Sequence, residues 1–394
     1  MVQGWDAVKK VAFIFEYSEA WLGGLNYFRN LISAIADLPD RKIEPIIFVG
    51  NNILEQQLAG LPKIKIVRSR ILNRESSIWR IGILSWRPFK SEVMLESLLN
   101  RHKIDVLSHS KFLYRNSRIP SIEWIPDFQH FYLSDFYTSD EISRRIADNR
   151  AVCTHCSCIL LSSHDALKDL KLFFPECAEK AKVLQFVADV AFDDKRTSSQ
   201  ELQKKYGFQG SYFLVPNQFW AHKNHKVIIE ALHLLRESGR DLLVLATGGT
   251  HDHRQPQYYQ TILELAKKLK VEDCFKVLGI VPREDLMGLM YDAVALINPS
   301  LFEGWSSVVE EAKSLGKRLI LSDIAVHHEQ NPQGALFFPA KDAHELAGAM
   351  YKMISSNDPD RDQELMIKAR DALPQRRQDF AKTYQDIVIS VTGL

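Results

Sequence analysis

The chain has no uninterrupted apolar run approaching the roughly 18 residues that a membrane-spanning helix needs. Residues 1–10 also lack a basic stretch followed by a long apolar segment, the pattern of a secretory leader. Cysteine is scarce and odd in number. The five are Cys153, Cys156, Cys158, Cys177 and Cys274, three of them close together, which does not suit a framework of secreted disulfides. A reduced, cytoplasmic setting is therefore expected. Net charge is nearly absent too: 50 basic against 49 acidic residues leave +1, so no global field points to nucleic acid or an acidic polymer. A G-x-G-x-x-G fingerprint is missing from both halves, which hold only Gly23-Gly24 and Gly248-Gly249. A dinucleotide site of that type is disfavoured.

What is present is an alternation of short β-rich runs and helical periodicity in a chain too long, at 394 residues, for one ordinary core. The apolar run 11–15 predicts a buried parallel strand. Residues 25–38 predict a helix with Leu25, Phe28, Leu31, Ile32 and Ile35 on one face. Further strands are expected at 46–49, 64–67, 104–107, 159–161 and 183–187, with helices at 141–151 and 166–173. The polar stretch 193–200 reads as a linker. The pattern then restarts, with strands at 212–215, 242–245, 275–278, 293–297 and 318–321. Helices at 227–235, 258–269, 285–290 and 308–314 alternate with them. Strands alternating with helices imply parallel sheets with right-handed crossovers, hence an α/β chain of two doubly wound domains. Ligands of such sheets sit at the C-terminal ends of strands.

The most informative stretch is 298–312, which follows an apolar strand and opens a helix. Ser307 and Glu310 have capping-box spacing, so Ser307 is the expected N-cap and Glu310 its partner. Glu303 then lies in the loop before the helix, and Glu311 one turn into it. Free backbone N–H groups at the helix start favour a phosphate. The carboxylates can accept hydrogen bonds from sugar hydroxyls.

Two glutamates with seven residues between them, after Pro299-Ser300 and before Gly316-Lys317, resemble the signature of glycosyltransferase family 4. The likeness continues through residues 314–317 and Ser322-Asp323. It implies a retaining enzyme with the GT-B fold, two Rossmann-like domains facing a central cleft. Residues 1–195 would bind the acceptor, 205–373 the nucleotide-sugar, and a last helix in 374–394 would return to the first domain. Glu311 would bind the donor ribose and Glu303 the transferred sugar. The backbone at Gly304, Trp305, Ser306 and Ser307 would face sugar and diphosphate, although the family more often has Phe-Gly at the positions of Trp305 and Ser306. A second match is 216–225, where the family usually has an arginine and, five residues on, a lysine, both on the diphosphate. Lys223 fits the lysine; on position alone it would be a solvated loop residue. Gln218 stands at the arginine position, and it can hydrogen-bond but brings no charge.

A third match, 124–132, resembles the segment that carries a histidine beside the donor sugar. Many members have His-Asp where this chain has Pro126-Asp127, and His130 follows three residues later. His130 and Asp127 are thus candidates for the catalytic site, with a purely structural histidine as the alternative. Gly23 and Gly24 resemble the family's N-terminal glycine loop, or else form a tight turn into the helix at Leu25. Gly279 and Ile280 resemble the loop that packs on the nucleotide base.

The family's chemistry implies attack by an acceptor hydroxyl on the face that the diphosphate leaves, with a donor phosphate oxygen taking the proton. Neither a carboxylate nucleophile nor a metal is implied. The donor would be a nucleotide-sugar, and the acceptor a glycan or lipid-linked glycan of surface polysaccharide or glycoconjugate synthesis. A nucleotide-sugar epimerase, a phosphorylase and a non-catalytic nucleotide-sugar-binding partner subunit remain open alternatives on this fold. Cys153, His155, Cys156 and Cys158 are close enough to suggest zinc, but no second cluster follows and they lie where a helix meets a strand. Asp358, Asp360 and Asp362 precede the helix at Gln363, where acidic residues are favoured anyway. Residues 67–90 hold Arg68, Arg70, Arg74, Arg80, Arg87 and Lys90 against Glu75 alone, interleaved with Trp79, Trp86 and Phe89. This segment suits peripheral contact with an anionic inner membrane face, an anionic acceptor, or a solvated surface.

Overall fold

The structure, a computed structural model, describes residues 8–15, 22–73, 89–109, 117–190, 196–356 and 358–393. The chain forms two compact units. The first comprises Met1–Phe128, Ser143–Val187 and Gln375–Leu394, and the second Gln129–Ile142 and Ala188–Pro374.

The first unit is built on β1 (Lys9–Ile14), α1 (Leu22–Ala36), β2 (Ile43–Val49), β3 (Lys65–Arg68), α2 (Phe89–Arg101), β4 (Val106–Ser108) and β5 (Ser121–Ile125). After the short helix α3 (Gln129–Tyr132), which clusters with the second unit, come α4 (Ser139–His155), β6 (Cys158–Leu161), α5 (His164–Phe173) and β7 (Ala181–Val183). The sheet is parallel in the order β3-β2-β1-β4-β5-β6-β7. Strands β4 and β6 are fully buried and β2 nearly so, as parallel strands covered on both faces are. Ala12, Ile46, Phe48 and Leu107 pack with Leu95 and Leu99 of α2 on one side. Helix α1 starts at Leu22, so Gly23 and Gly24 lie in its first turn rather than in a loop ahead of it. Cys153 and Cys177 form a disulfide with Cα atoms 5.3 Å apart, a single bridge that the odd cysteine count concealed. Cys156, Cys158 and Cys274 are buried free thiols.

The second unit continues with α6 (Ser199–Tyr206), β8 (Tyr212–Val215), α7 (His225–Glu237), β9 (Leu243–Thr247), α8 (Tyr258–Lys268), β10 (Phe275–Gly279), α9 (Arg283–Asp292) and β11 (Leu296–Asn298). It ends with α10 (Ser307–Leu315), β12 (Leu319–Ser322), α11 (Ala325–Gln330), β13 (Leu336–Phe338), α12 (Ala343–Ser355) and α13 (Pro359–Val391). The expected linker 193–200 runs into α6, which starts at Ser199 behind a complete Ser198/Glu201 capping box; its residues 193–195 lie outside the described residues. The sheet is parallel in the order β10-β9-β8-β11-β12-β13. Phe213, Val215, Ile229, Leu232, Val244 and Ile297 lie in one buried core. Strand order reverses between β8 and β11, so the loops after those strands leave the sheet at its switch point, where doubly wound sheets bind ligands.

Helix α13 begins well before the expected start at 376 and runs through Pro374. Its first turns stay with the second unit, where Asp362 pairs with the buried Arg318 at 2.8 Å. Its last turns belong to the first unit. There Arg377 pairs with Asp37 at 2.6 Å, and the buried Tyr384 hydroxyl donates to Ser108 Oγ at 2.7 Å.

Candidate active site

The loops that follow β8 and β11 are stitched together before any side-chain chemistry is considered. After β8 the chain makes a tight 3-10 turn at Ala221–Lys223 and then places Asn224 in the left-handed region, at φ 56°. Asparagine tolerates that conformation. Its amide donates to the Pro299 and Ala340 carbonyls at 3.1 and 2.7 Å. The Leu301 N–H in the second loop donates to the His222 carbonyl at 2.8 Å. Lys223 and Glu303 thereby meet, Nζ to Oε1, at 2.6 Å, and their side chains are only 14% and 9% exposed. Ser300 Oγ also donates to Glu303 Oε1, at 2.7 Å. Burial works against the Glu303 carboxylate, but Lys223 above all, with the Ser300 hydroxyl, holds its pKa below the ordinary value. Glu303 is therefore ionised at neutral pH. Lys223 brings a positive charge with three donors, of which this pair needs one.

Behind the pair lies a buried polar network. Asn298 closes β11 and donates to Ser306 Oγ at 2.7 Å. Its side-chain oxygen accepts from Asn217 at 3.1 Å and lies 2.8 Å from Ser300 Oγ. His327 Nδ1 lies 2.9 Å from the Ser322 carbonyl, which only accepts, so Nδ1 carries the proton. Its Nε2 then accepts from Asn298 at 3.3 Å. Burial lowers the His327 pKa, in keeping with a neutral ring. Gln330 takes both backbone groups of Ser306, N–H at 3.2 Å and carbonyl at 3.0 Å. His327 and Gln330 did not stand out in the sequence, and Asn298 and Ser300 did so only as part of the stretch 298–312, with no role of their own. A polar residue ending a buried apolar strand, as Asn298 does, is the one signal that could have pointed here.

The helix that follows starts one residue earlier than its spacing suggested. Ser306, not Ser307, is the N-cap, with its hydroxyl accepting from the Val309 N–H at 3.4 Å. The bond from Asn298 fixes Ser306 in that place, and Ser307 becomes the first helical residue. Glu310 is not a capping partner. It pairs with Lys313 at 3.0 Å and accepts from Gln330 at 3.1 Å. Gly304 precedes the buried Trp305 in the same loop.

Glu311 faces another partner. Its Oε1 lies 2.7 Å from Nη1 of Arg283, which opens α9 and was not anticipated as a site residue. Ahead of Arg283 come Gly279, at φ 71°, and Ile280, which is 74% exposed. An exposed isoleucine beside a left-handed glycine is a shelf with an unused apolar face. Gly248, at φ 119°, lies so close to the loop after β8 that a Cβ would sit 2.5 Å from the Asn217 carbonyl oxygen. The Phe219 N–H donates to Gly249 and the Gly248 N–H to Gly279, both at 2.8 Å. Gln218 sits on this three-loop junction, its Oε1 3.9 Å from where a Gly249 Cβ would be.

Of the expected residues, Lys223, Gln218, Gly279, Ile280, Gly304, Trp305, Ser306, Ser307, Glu303 and Glu311 all belong to the second unit. His130 joins them through α3, where it is 2% exposed with its ring centroid 4.4 Å from that of Phe131. Its neighbour Tyr132 stacks on Phe302 at 5.4 Å, beside Glu303. Asp127, Gly23 and Gly24 belong to the first unit. Of the cations in 67–90, Arg68 pairs with Glu55 at 2.5 Å. Arg74, Arg80 and Arg87, like Trp79 and Trp86, lie outside the described residues. Among the described residues there is no cluster of three or more metal-binding side chains. Among them too, no helix is long and apolar enough to cross a membrane.

The family described as glycosyl transferases group 1 matches residues 198–371, the span that holds every loop described above except α3. The O-antigen chain mannosyltransferase RfbU of Salmonella typhimurium is 24% identical over 270 residues, covering 68% of this chain and 70% of the relative. A glycosyltransferase from Rickettsia africae superimposes with a TM-score of 0.69 at 15% identity, covering 98% of this chain and 99% of the other. Anabaena Alr3699/HepE, solved with UDP and glucose, gives a TM-score of 0.68 at 16% identity and covers 98% and 100%. Two parallel α/β sheets and these likenesses converge: residues 198–371 form a domain that matches the glycosyl transferases group 1 family, in a chain with the GT-B fold.

Proposed function

We propose that the second unit binds a nucleoside-diphosphate sugar and that the enzyme transfers the sugar to a hydroxyl with retention of anomeric configuration. The observation that carries this is the buried Lys223–Glu303 pair at the switch point of the sheet, with Glu311 on the helix that follows. Lys223 and the N-terminus of α10 meet the diphosphate, where positive charge and free N–H groups stabilise the leaving group. Glu303 accepts from hydroxyls of the transferred sugar. Glu311, steadied by Arg283, uses its remaining oxygen on the ribose, and Ile280 packs on the base. His130 stands beside the sugar. The reaction needs no resident metal, because Lys223 and the helix start supply the positive charge. The acceptor is a glycan or lipid-linked glycan of surface polysaccharide synthesis, a reading supported by the likeness to the O-antigen chain mannosyltransferase of Salmonella. The enzyme meets it at the cytoplasmic face of the inner membrane, with 67–90 as the contact.

The test is thermal stability of the purified chain with UDP, GDP, dTDP, ADP and CMP in turn. A nucleotide at a hundred times its dissociation constant adds about 2.7 kcal/mol. For units of this size that is a rise of roughly 5–11 °C. The sugar nucleotide of the responding base then identifies the donor, and NMR of the product reads the anomer. No shift with any of the five would overturn the proposed donor site. Gln218 favours a second reading, a subunit that binds nucleotide-sugar without turning it over. Tight binding with no release of nucleotide from any donor would support it.

A further inference from the structure

We propose that Arg254 is a positioning residue that holds the His130 segment against the loop carrying Lys223. Arg254 lies in the loop after β9, and its side chain is only 6% exposed. A buried guanidinium is costly unless its donors are used, and here they are shared between two segments. Nη1 donates to Gln129 Oε1 at 2.8 Å and to the Tyr137 hydroxyl oxygen at 2.7 Å. The Tyr137 hydroxyl in turn donates to Gln129 Oε1 at 2.5 Å, closing a three-membered ring of bonds. Nη2 lies 3.3 Å from Nδ1 of His222, whose burial keeps the ring neutral and able to accept there. Asp252 completes the arrangement. Its Oδ2 accepts from the Ala221 N–H at 3.0 Å, and its Oδ1 accepts from the Arg254 backbone at 3.0 Å. The cation also lies over the rings of Tyr137 and Trp220, at 5.0 and 5.5 Å from their centroids.

The partners are not scattered. Gln129 immediately precedes His130, and His222 immediately precedes Lys223. Residues 129–142 are distant in sequence from the rest of the second unit, yet cluster with it. One guanidinium therefore sets the register between the two proposed catalytic segments. A lysine could keep the charge, but a single ammonium cannot span the same fork of acceptors. This inference rests on the roles of His130 and Lys223 proposed above.

The experiment uses the full chain with Arg254→Lys, Tyr137→Phe, His130→Ala and the Arg254→Lys/His130→Ala double variant. Nucleotide release is followed from UDP-glucose or GDP-mannose, whichever the unaltered chain turns over. Nucleotide affinity is measured alongside, as is hydrogen exchange of residues 129–137. Arg254→Lys should lower kcat at least tenfold with KM and nucleotide affinity within twofold, and raise exchange across 129–137. Tyr137→Phe, which removes two of the ring's three bonds without disturbing the charge, should show the same split at a few-fold. The double variant should lose no more than His130→Ala alone, because Arg254 acts through that segment. Full activity of Arg254→Lys with His130→Ala impaired would overturn the inference and leave the site reading standing. Multiplicative losses in the double variant, or unchanged exchange across 129–137, would overturn it too. Full activity of His130→Ala would remove the role of His130 and the inference with it.

Discussion

Replacing Lys223 by methionine removes the cation from a nearly buried pair while keeping most of the side-chain volume. Glu303 would remain with one hydrogen bond, from Ser300, and a side chain 9% exposed. Breaking a buried pair from one side costs about 3–5 kcal/mol. The low end applies here because Ser300 still donates. That is roughly 6–12 °C in the melting of a unit this size. The sign of the pH dependence follows from Glu303. In the unaltered chain its folded pKa is depressed, so its stabilisation is present above the unfolded value, near ~4.3, and is lost as pH falls through the folded pKa. Without Lys223, burial acts with far less opposition and raises the folded pKa above the unfolded one. Stability is then kept at low pH and lost as pH rises. The gap between variant and unaltered chain should therefore widen between about pH 4.5 and 7.5. Thermal melts at those two values read it directly, and Lys223→Met/Glu303→Leu should recover most of the loss at the higher pH. A gap that is equal at both values, or a full-size loss in the double variant, would refute the claim that Lys223 serves a buried carboxylate.

Gly248→Ala should cost about 2–4 kcal/mol, since it combines a left-handed backbone with a Cβ 2.5 Å from the Asn217 carbonyl oxygen. A melting temperature within about 2 °C of the unaltered chain would show that the loop after β8 can yield. Gln218→Arg restores the fork that the family usually has and should tighten nucleoside diphosphate binding about tenfold. Calorimetry against the matching nucleoside monophosphate should show the gain for the diphosphate alone, and no gain would mean that position 218 does not face the phosphates.

Much of the second unit was legible because β8, β11 and β12 are short, fully buried, largely apolar runs. The strand 212–215 is β8 residue for residue, and the helix at 258–269 differs from α8 by one position. Strand β13 was missed because its apolar run, Leu336–Phe338, is only three residues long. Helix α2 went unassigned behind the cation-rich stretch at its start. The family resemblance singled out Glu303, Glu311 and Lys223 one by one. It could not pair Lys223 with Glu303, because 80 residues separate them and only the two loop crossings bring them together. Arg283, His327, Gln330 and Arg254 were illegible for the same reason: their meaning lies in bonds to residues 24 to 125 positions away. The one-residue error at the start of α10 is of that kind too. Ser307-x-x-Glu310 is the better local motif, and a tertiary bond from Asn298 chose Ser306 instead.

The central claim is that the nucleotide sits on Glu311 in the second unit. The most direct measurement is calorimetric titration of the responding nucleoside diphosphate into the unaltered chain and into Glu311→Ala. Hydrogen bonds to a carboxylate contribute about 1.5–3 kcal/mol, so the variant should bind roughly ten- to hundredfold more weakly, with its melting temperature in the absence of nucleotide little changed. Equal affinity in the two proteins would contradict the account and move the donor site elsewhere.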